Sequence, residues 1–223
     1  MDPADGAPAQ ADGDDFPDAE ASDLLEQYVA ADRDGRRKAA EQLGEAAGMA
    51  VLRRLTDDDG PDIRYPTADE PVPDSLALTP GVPWPTAFAF AGRNVTNIVW
   101  WDGDTVRVIE AKGGDSQYGT RQAGKDDAGQ DLVVHQGSEA YLEKIADAMA
   151  NSPKEDGRTT IGDILAEAIE DRLVDYDGVR CGPRTQLLDG PHDGTLIKED
   201  DFGAEGNRWG WGPLPKGQKG PAT

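Results

Sequence analysis

Residues 94–114 read NVTNIVWWDGDTVRVIEAKGG, and this stretch decides the fold. Two β-rich runs, 95–101 and 105–111, flank Asp102-Gly103, a dipeptide that marks a tight turn between paired strands. A β-hairpin is expected here. Side chains alternate along a strand, so Glu110 and Lys112 project from one face. Any even-length loop, centred on Asp102-Gly103 or on Gly103-Asp104, also brings Asn97, Val99 and Trp101 to that face. Asn97 then lies opposite Glu110 or diagonal to it, close enough to share a ligand. An amide, a carboxylate and an ammonium on one patch have the geometry of a site. The plainer alternative for Glu110 and Lys112 is an ion pair on a solvated strand face.

Upstream, residues 88–90 read as a short strand feeding the hairpin. Residues 56–85 are a proline-rich loop by composition. Its Asp57-Asp58-Asp59-Gly60 run lacks the spaced oxygen ligands and terminal glutamate of a calcium loop and reads as a solvated turn. Before it, residues 36–55 carry Leu43, Ala46, Ala47, Ala50, Val51 and Leu55 at helical spacing. That helix has a small-residue stripe suited to close packing on a sheet, with Glu41 and Glu45 together on one face. Ser22 is a candidate N-cap for a first helix over 23–31, and residues 1–21 are expected to be a disordered acidic leader.

Downstream, residues 113–130 form a Gly-rich polar loop containing Arg121, whose planar fork suits a phosphate. Gly113 and Gly114 are not followed by the GK[ST] of a phosphate-binding loop. Ser138 is placed to cap a helix over 139–149, just after Gln136. A further helix is expected over 160–171 and a strand over 172–180. His135 and His192 have no catalytic partner at recognisable spacing and read as structural. The turn-rich remainder ends in a tail, 206–223, where Trp209 and Trp211 are spaced to dock on the parent domain. Helices before and after central strands give an α/β sandwich with a small mixed sheet, as one domain over 22–205.

Bulk properties narrow the function. The chain has 223 residues and a formal net charge of −22, which opposes a general nucleic-acid coat or a membrane-surface binder. The acid is uneven: residues 36–65 hold six acidic and six basic side chains, leaving a neutral stretch that can approach a phosphate. A single cysteine, Cys181, rules out an intrachain disulfide and a cysteine-based zinc cluster. The N-terminus has no secretory signal and no apolar run is of membrane length, so export is expected to use a specialised route.

In order along the chain, LGEAA at 43–47, VIEAKGG at 108–114, YGTRQ at 118–122 and HQGSEAYLEKIADAM at 135–149 resemble a known family. The resemblance is to the PD-(D/E)xK restriction-endonuclease-like superfamily, and more narrowly to nuclease domains at the C-termini of bacterial polymorphic toxins. It covers about residues 36–180 and implies an αβββαβ core. It further implies a Mg²⁺- or Mn²⁺-dependent nuclease acting on DNA, or alternatively RNA, in the cytoplasm of a target cell and restrained by a cognate immunity protein. Carried over, Glu110 and Asn97 are the metal ligands, Lys112 orients or deprotonates the attacking water, and Glu45 completes the acidic cluster. Arg121 and Gln136 contact the scissile phosphate or hold the loop. The pattern departs at Asn97, where the family places an aspartate; Asp102 and Asp104 lie in the turn and do not replace it. Three accounts fit that departure: an active site tolerant of an amide, a degenerate relative, or a chain disarmed by an Asp→Asn change. The contrasting expectation is a catalytically silent module of the same fold that binds a protein partner.

Overall fold

Trp101 pairs with Val106 and Ile98 with Ile109 in antiparallel register, so the hairpin expected at Asp102-Gly103 is present. Its turn is built by Asp102. The Asp102 carboxylate accepts the Asp104 N–H at 2.9 Å and the Thr105 N–H at 2.7 Å, while Gly103 takes a φ of +104° that a side chain would resist.

The computed structural model describes residues 15–56, 60–92, 95–114, 116, 119–125, 131–182, 195–201 and 214–215. In chain order these form β1 (Asp15–Asp18), α1 (Ala19–Ala30), α2 (Arg33–Leu55), β2 (Asp62–Arg64), β3 (Thr86–Ala89), β4 (Ile98–Trp101) and β5 (Val106–Gly113). There follow β6 (Thr120–Lys125), β7 (Asp131–His135), α3 (Glu139–Ala150), α4 (Arg158–Glu170), β8 (Val174–Cys181), β9 (Thr195–Asp201) and β10 (Leu214–Pro215). The chain is a mixed α/β protein. Strands β8, β5, β4, β3 and β2 lie side by side, continued beyond β8 by β9 and β1. β3, β4 and β5 form an antiparallel meander, β8 runs parallel to β5, and β2 runs parallel to β3. β6, β7 and β10 make a second, small sheet.

Helices cover both faces of the main sheet, which is why β5 is buried along most of its length. On one face Ile98, Ile109, Ala111 and Val179 pack with Leu43, Ala47 and Val51 of α2. On the other, Val99, Trp101, Val106 and Val108 pack with Leu142 and Ile145 of α3 and Ile161 and Leu165 of α4. Alternation along β5 is what assigns each residue to its core.

Helix α2 starts where Asp32 accepts the Gly35 N–H at 2.8 Å. It approaches β5 closely because small residues line the contact. A Cβ on Gly44 would lie 2.9 Å from the Gly113 N, and one on Gly113 would collide with the Ala40 carbonyl oxygen and the Gly44 N. Helix α3 is capped as expected, the Ser138 Oγ accepting the Tyr141 N–H at 3.2 Å.

Several expectations are corrected. Helix α1 begins at Ala19, so Ser22 sits inside it rather than capping it. The leader does not reach residue 21, because Asp15–Asp18 is an edge strand paired with β9, a partner too distant in sequence for composition to signal. β2 lies inside the proline-rich segment 56–85. The long Gly-rich loop instead supplies β6, which pairs with β7 through a register shift between Gln122 and Gly124. β9 and β10 occupy the C-terminal region expected to be turns and disorder. Asp57, Asp58, Asp59, Tyr118, His192, Trp209 and Trp211 lie outside the described residues. Among the described residues, no helix is long and apolar enough to cross a membrane.

Candidate active site

Glu110 sits in the C-terminal half of the central strand β5 and is only 2% exposed. A carboxyl group so placed must find partners. The Gln136 Nε2 donates to Glu110 Oε2 at 2.6 Å. Gln136 is itself clamped to the loop before β6: its Oε1 accepts the Gly119 N–H at 2.8 Å and its own N–H donates to the Gly119 carbonyl at 2.8 Å. Gly137, at a φ of +95°, then lets the chain turn into α3. Hairpin, small sheet and helix α3 thus meet at one carboxylate.

The other carboxyl oxygen, Oε1, makes no hydrogen bond of normal geometry among the described residues. Burial pushes the Glu110 carboxyl up to about 7, opposed first by the Lys112 charge, then by the Gln136 amide, the Arg121 charge and the Tyr176 hydroxyl. Glu110 in turn contributes, after burial, to holding the Tyr141 phenol up at about 12. Arg121 does not reach outward. Its Nη1 donates to the Lys144 carbonyl of α3 at 3.0 Å, and its guanidinium lies 5.9 Å from the centre of the Tyr141 ring. It supports the pocket and holds the loop.

Asn97 stands just before β4, and the register that pairs Ile98 with Ile109 brings it alongside Glu110. Its Oδ1 accepts the Ala111 N–H at 2.9 Å, so the amide oxygen is engaged with the backbone of β5. Asn97, Glu45 and Lys112 border a groove of about 970 Å³ between α2 and the end of β5. Arg36, Arg37 and Glu41 form its outer wall, with Arg37 and Glu41 paired at 3.1 Å on the exposed helix face. Glu45 is half-buried, and burial followed by the Glu41 charge raises its carboxyl. The Tyr65 phenol beside it is raised by burial and then by Glu45.

The predicted residues therefore fall into two adjoining groups. Asn97 and Glu45 line an open groove with α2 cations at its mouth, and Glu110, Gln136 and Arg121 meet in a buried pocket on the other side of the same strand end, the face to which alternation also assigns the Lys112 side chain. Tyr176 and Tyr141 complete that pocket and carried no functional signal in the sequence. Tyr141 lies within the capped first turn of α3, but its sequence spacing reads equally as core. Tyr176 arrives by the pairing of Val108 with its strand, a contact between distant segments. His135, paired with Thr120 across the small sheet, is depressed by burial alone and stays structural.

A hard divalent cation asks for oxygen ligands and, for Mg²⁺, accepts one or two carboxylates with water completing the shell. The unfilled Oε1 of Glu110 meets that demand with one anionic oxygen. Asn97 offers only a neutral oxygen, already shared with Ala111. Among the described residues, no group of three or more His, Cys, Asp or Glu side chains is placed to hold a metal. Together they offer one buried carboxylate oxygen and one neutral oxygen already engaged with the backbone. No known family model, curated protein or solved structure matches the chain.

Proposed function

We propose that this chain is a nuclease-type domain whose site hydrolyses phosphodiesters, with DNA as substrate, in the manner of a bacterial toxin effector. The observation that carries it is the buried Glu110 carboxyl, with one oxygen making no hydrogen bond of normal geometry, two residues before Lys112 and across the strand end from a groove walled by Arg36 and Arg37. The order of elements supports it: a helix, a three-strand antiparallel meander and, after the small sheet and two helices, a strand parallel to the third. The resemblance makes Glu110 and Asn97 the ligands that would hold Mg²⁺ or Mn²⁺ and Glu45 a further acid, and Asn97 and Glu45 would then have to reach the cation from the groove side of the strand end. Such a cation, when bound, acidifies water and offsets charge on phosphate oxygens.

The chain's own groups do the rest. Arg36 and Arg37 draw the polynucleotide backbone into the groove. Lys112 orients the attacking water and neutralises charge building on the phosphorus-bound oxygens. Water oxygen bonds to phosphorus, the bond to the leaving sugar oxygen breaks, and that oxygen takes up a proton. Gln136 keeps Glu110 aimed, and Arg121 ties the small sheet to α3. The resemblance that suggests a toxin also suggests delivery by a specialised route into a target cell and a cognate immunity protein as partner.

A silent, protein-binding module of the same fold is favoured by one feature: the Asn97 amide oxygen is engaged with Ala111 and brings no charge. Plasmid cleavage with Mg²⁺ or Mn²⁺ decides between them, using the parent chain, Asn97→Asp and Lys112→Ala. A carboxylate at position 97 can accept the Ala111 N–H with one oxygen and offer the other to the cation. Asn97→Asp is expected to cut at least tenfold faster than the parent, and Lys112→Ala in that background to abolish cutting. A folded Asn97→Asp variant that stays inert argues for the silent module.

A further inference from the structure

Among the described residues, the large apolar side chains left well exposed are Val29, Leu55, Tyr65 and Val82, and Tyr65 alone of these carries a ring. It is 46% exposed and follows directly on β2. Ile63 packs with the α2 core, whereas Arg64 pairs with Phe88 and lies over its ring on the opposite face. Alternation therefore carries Tyr65 to the α2 side. There it shares a recess with Glu45, Asn97 and Ala111, all three of which also line the α2 groove, so the ring stands at one end of that groove. The other end is cationic. Arg36 lies over the Tyr28 ring, its guanidinium 5.9 Å from the ring centre, while the neighbouring Arg37 is paired with Glu41. Arg36 and Glu45 are nine residues apart on α2, which at 1.5 Å per residue is about 14 Å, the rise of roughly four stacked nucleotides of one strand. The lining between them includes the small residues Ala40, Gly44, Ala91 and Gly113, which leave the floor open.

A ring can stack on a base only where the face of that base is uncovered, and inside a duplex both faces are taken by neighbouring pairs. A cation at one end of a groove and a ring at the other match the phosphate and the base of an unpaired strand. We propose that the α2 groove takes a single-stranded polynucleotide, with an unpaired base stacked on Tyr65 and a phosphate held at Arg36. Every base has a π-face, so the contact selects the form of the strand rather than its sequence. A negatively supercoiled plasmid offers such a strand where its duplex opens. The inference rests on the nuclease reading and narrows its substrate.

The test is anisotropy of a short labelled DNA strand, and of the same strand in a duplex, titrated with the full chain in EDTA at several NaCl concentrations. The parent is expected to bind the strand about tenfold or more tightly than the duplex. Tyr65→Ala should lose about tenfold in affinity for the strand, the worth of one stacked base, with its salt slope unchanged. Tyr65→Phe keeps the ring and should match the parent. Arg36→Gln should bind more weakly and lower the slope of log K against log[salt] by about 0.7, the share of one phosphate on a single strand. If the parent binds the duplex as tightly as the strand, or Tyr65→Ala binds the strand as the parent does, the stacking contact is overturned. An Arg36→Gln slope equal to that of the parent overturns the phosphate contact. If the parent binds neither form, the whole inference falls. In each case plasmid cleavage by Asn97→Asp reports separately on the nuclease reading. Should Tyr65→Ala fail to fold, Tyr65→Leu decides, since it keeps bulk without a ring: affinity equal to the parent overturns the stacking.

Discussion

Glu110 holds its carboxyl group in the interior with one oxygen bonded and one unfilled, a state that favours the protonated acid. Its folded value of about 7 stands above the ordinary 4.5, so between those limits the folded chain binds more protons than the unfolded one. Stability from this group is therefore complete below about pH 4.5 and is lost as pH rises through about 7. At 1.36 kcal/mol per pKa unit the loss is roughly 3 kcal/mol. Glu110→Gln keeps the shape and removes the charge. Urea unfolding in EDTA should show the variant more stable than the parent at pH 8, by up to roughly 3 kcal/mol, with the gap closing at pH 4. A gap independent of pH would mean that Glu110 is already ionised in the folded chain. The same residue explains why Asn97 matters: a buried carboxyl that resists ionisation needs a second anionic ligand before a cation can hold it open.

At the level of elements, the α2–β5 contact sets the groove. Gly113 and Gly44 let helix and strand backbones meet, and no flexible side chain is available to give way, because a Gly113 Cβ would collide with the Ala40 carbonyl oxygen and the Gly44 N. Gly113→Ala should cost about 3 kcal/mol or prevent folding, while Gly48→Ala, facing the Ile98 and Ala111 side chains, should cost less because side chains can shift. Melting temperatures of the two variants check the order, and equal values would contradict it. Much of this layer was legible in the sequence. Asp102-Gly103 announced the hairpin, Ser138 announced α3, and the small residues of α2 announced close packing on a sheet. All are local signals. β6 was not legible, because a Gly-rich polar strand at the edge of a small sheet has little apolar alternation to show. β1 and β9 were not legible because each supplies the other's hydrogen bonds across nearly the whole chain. The site divides in the same way. Glu110, Lys112 and Asn97 follow from one hairpin, whereas Tyr176 joins them only through β8.

For the whole molecule, a formal net charge of −22 makes the folded state repel itself. Raising NaCl from about 10 mM to 150 mM shortens the screening length from about 30 Å to 8 Å. The melting temperature should rise, by about 2–4 °C for each kcal/mol of repulsion removed. A fall with salt would indicate that ion pairs such as Arg107 with Asp102 and Asp175, at 2.9 and 3.0 Å, outweigh the net repulsion. On the nuclease proposal, the groove mouth at Arg36 and Arg37 is where a polynucleotide can approach so acidic a chain. The parallel pairing of β5 with β8 carries a kinetic consequence. β4 reaches β5 through a short turn and can form at once, but β8 is made only after the small sheet and both helices of the second layer. Pairings between distant segments are slow, and until this one closes β5 is an edge strand with a row of unpaired backbone groups. Synthesis or refolding thus passes through a species that holds the hairpin yet is prone to strand-to-strand aggregation. A chain that ends before Val174 stays at that species: it keeps Glu110 and Lys112 and has no pocket to put them in.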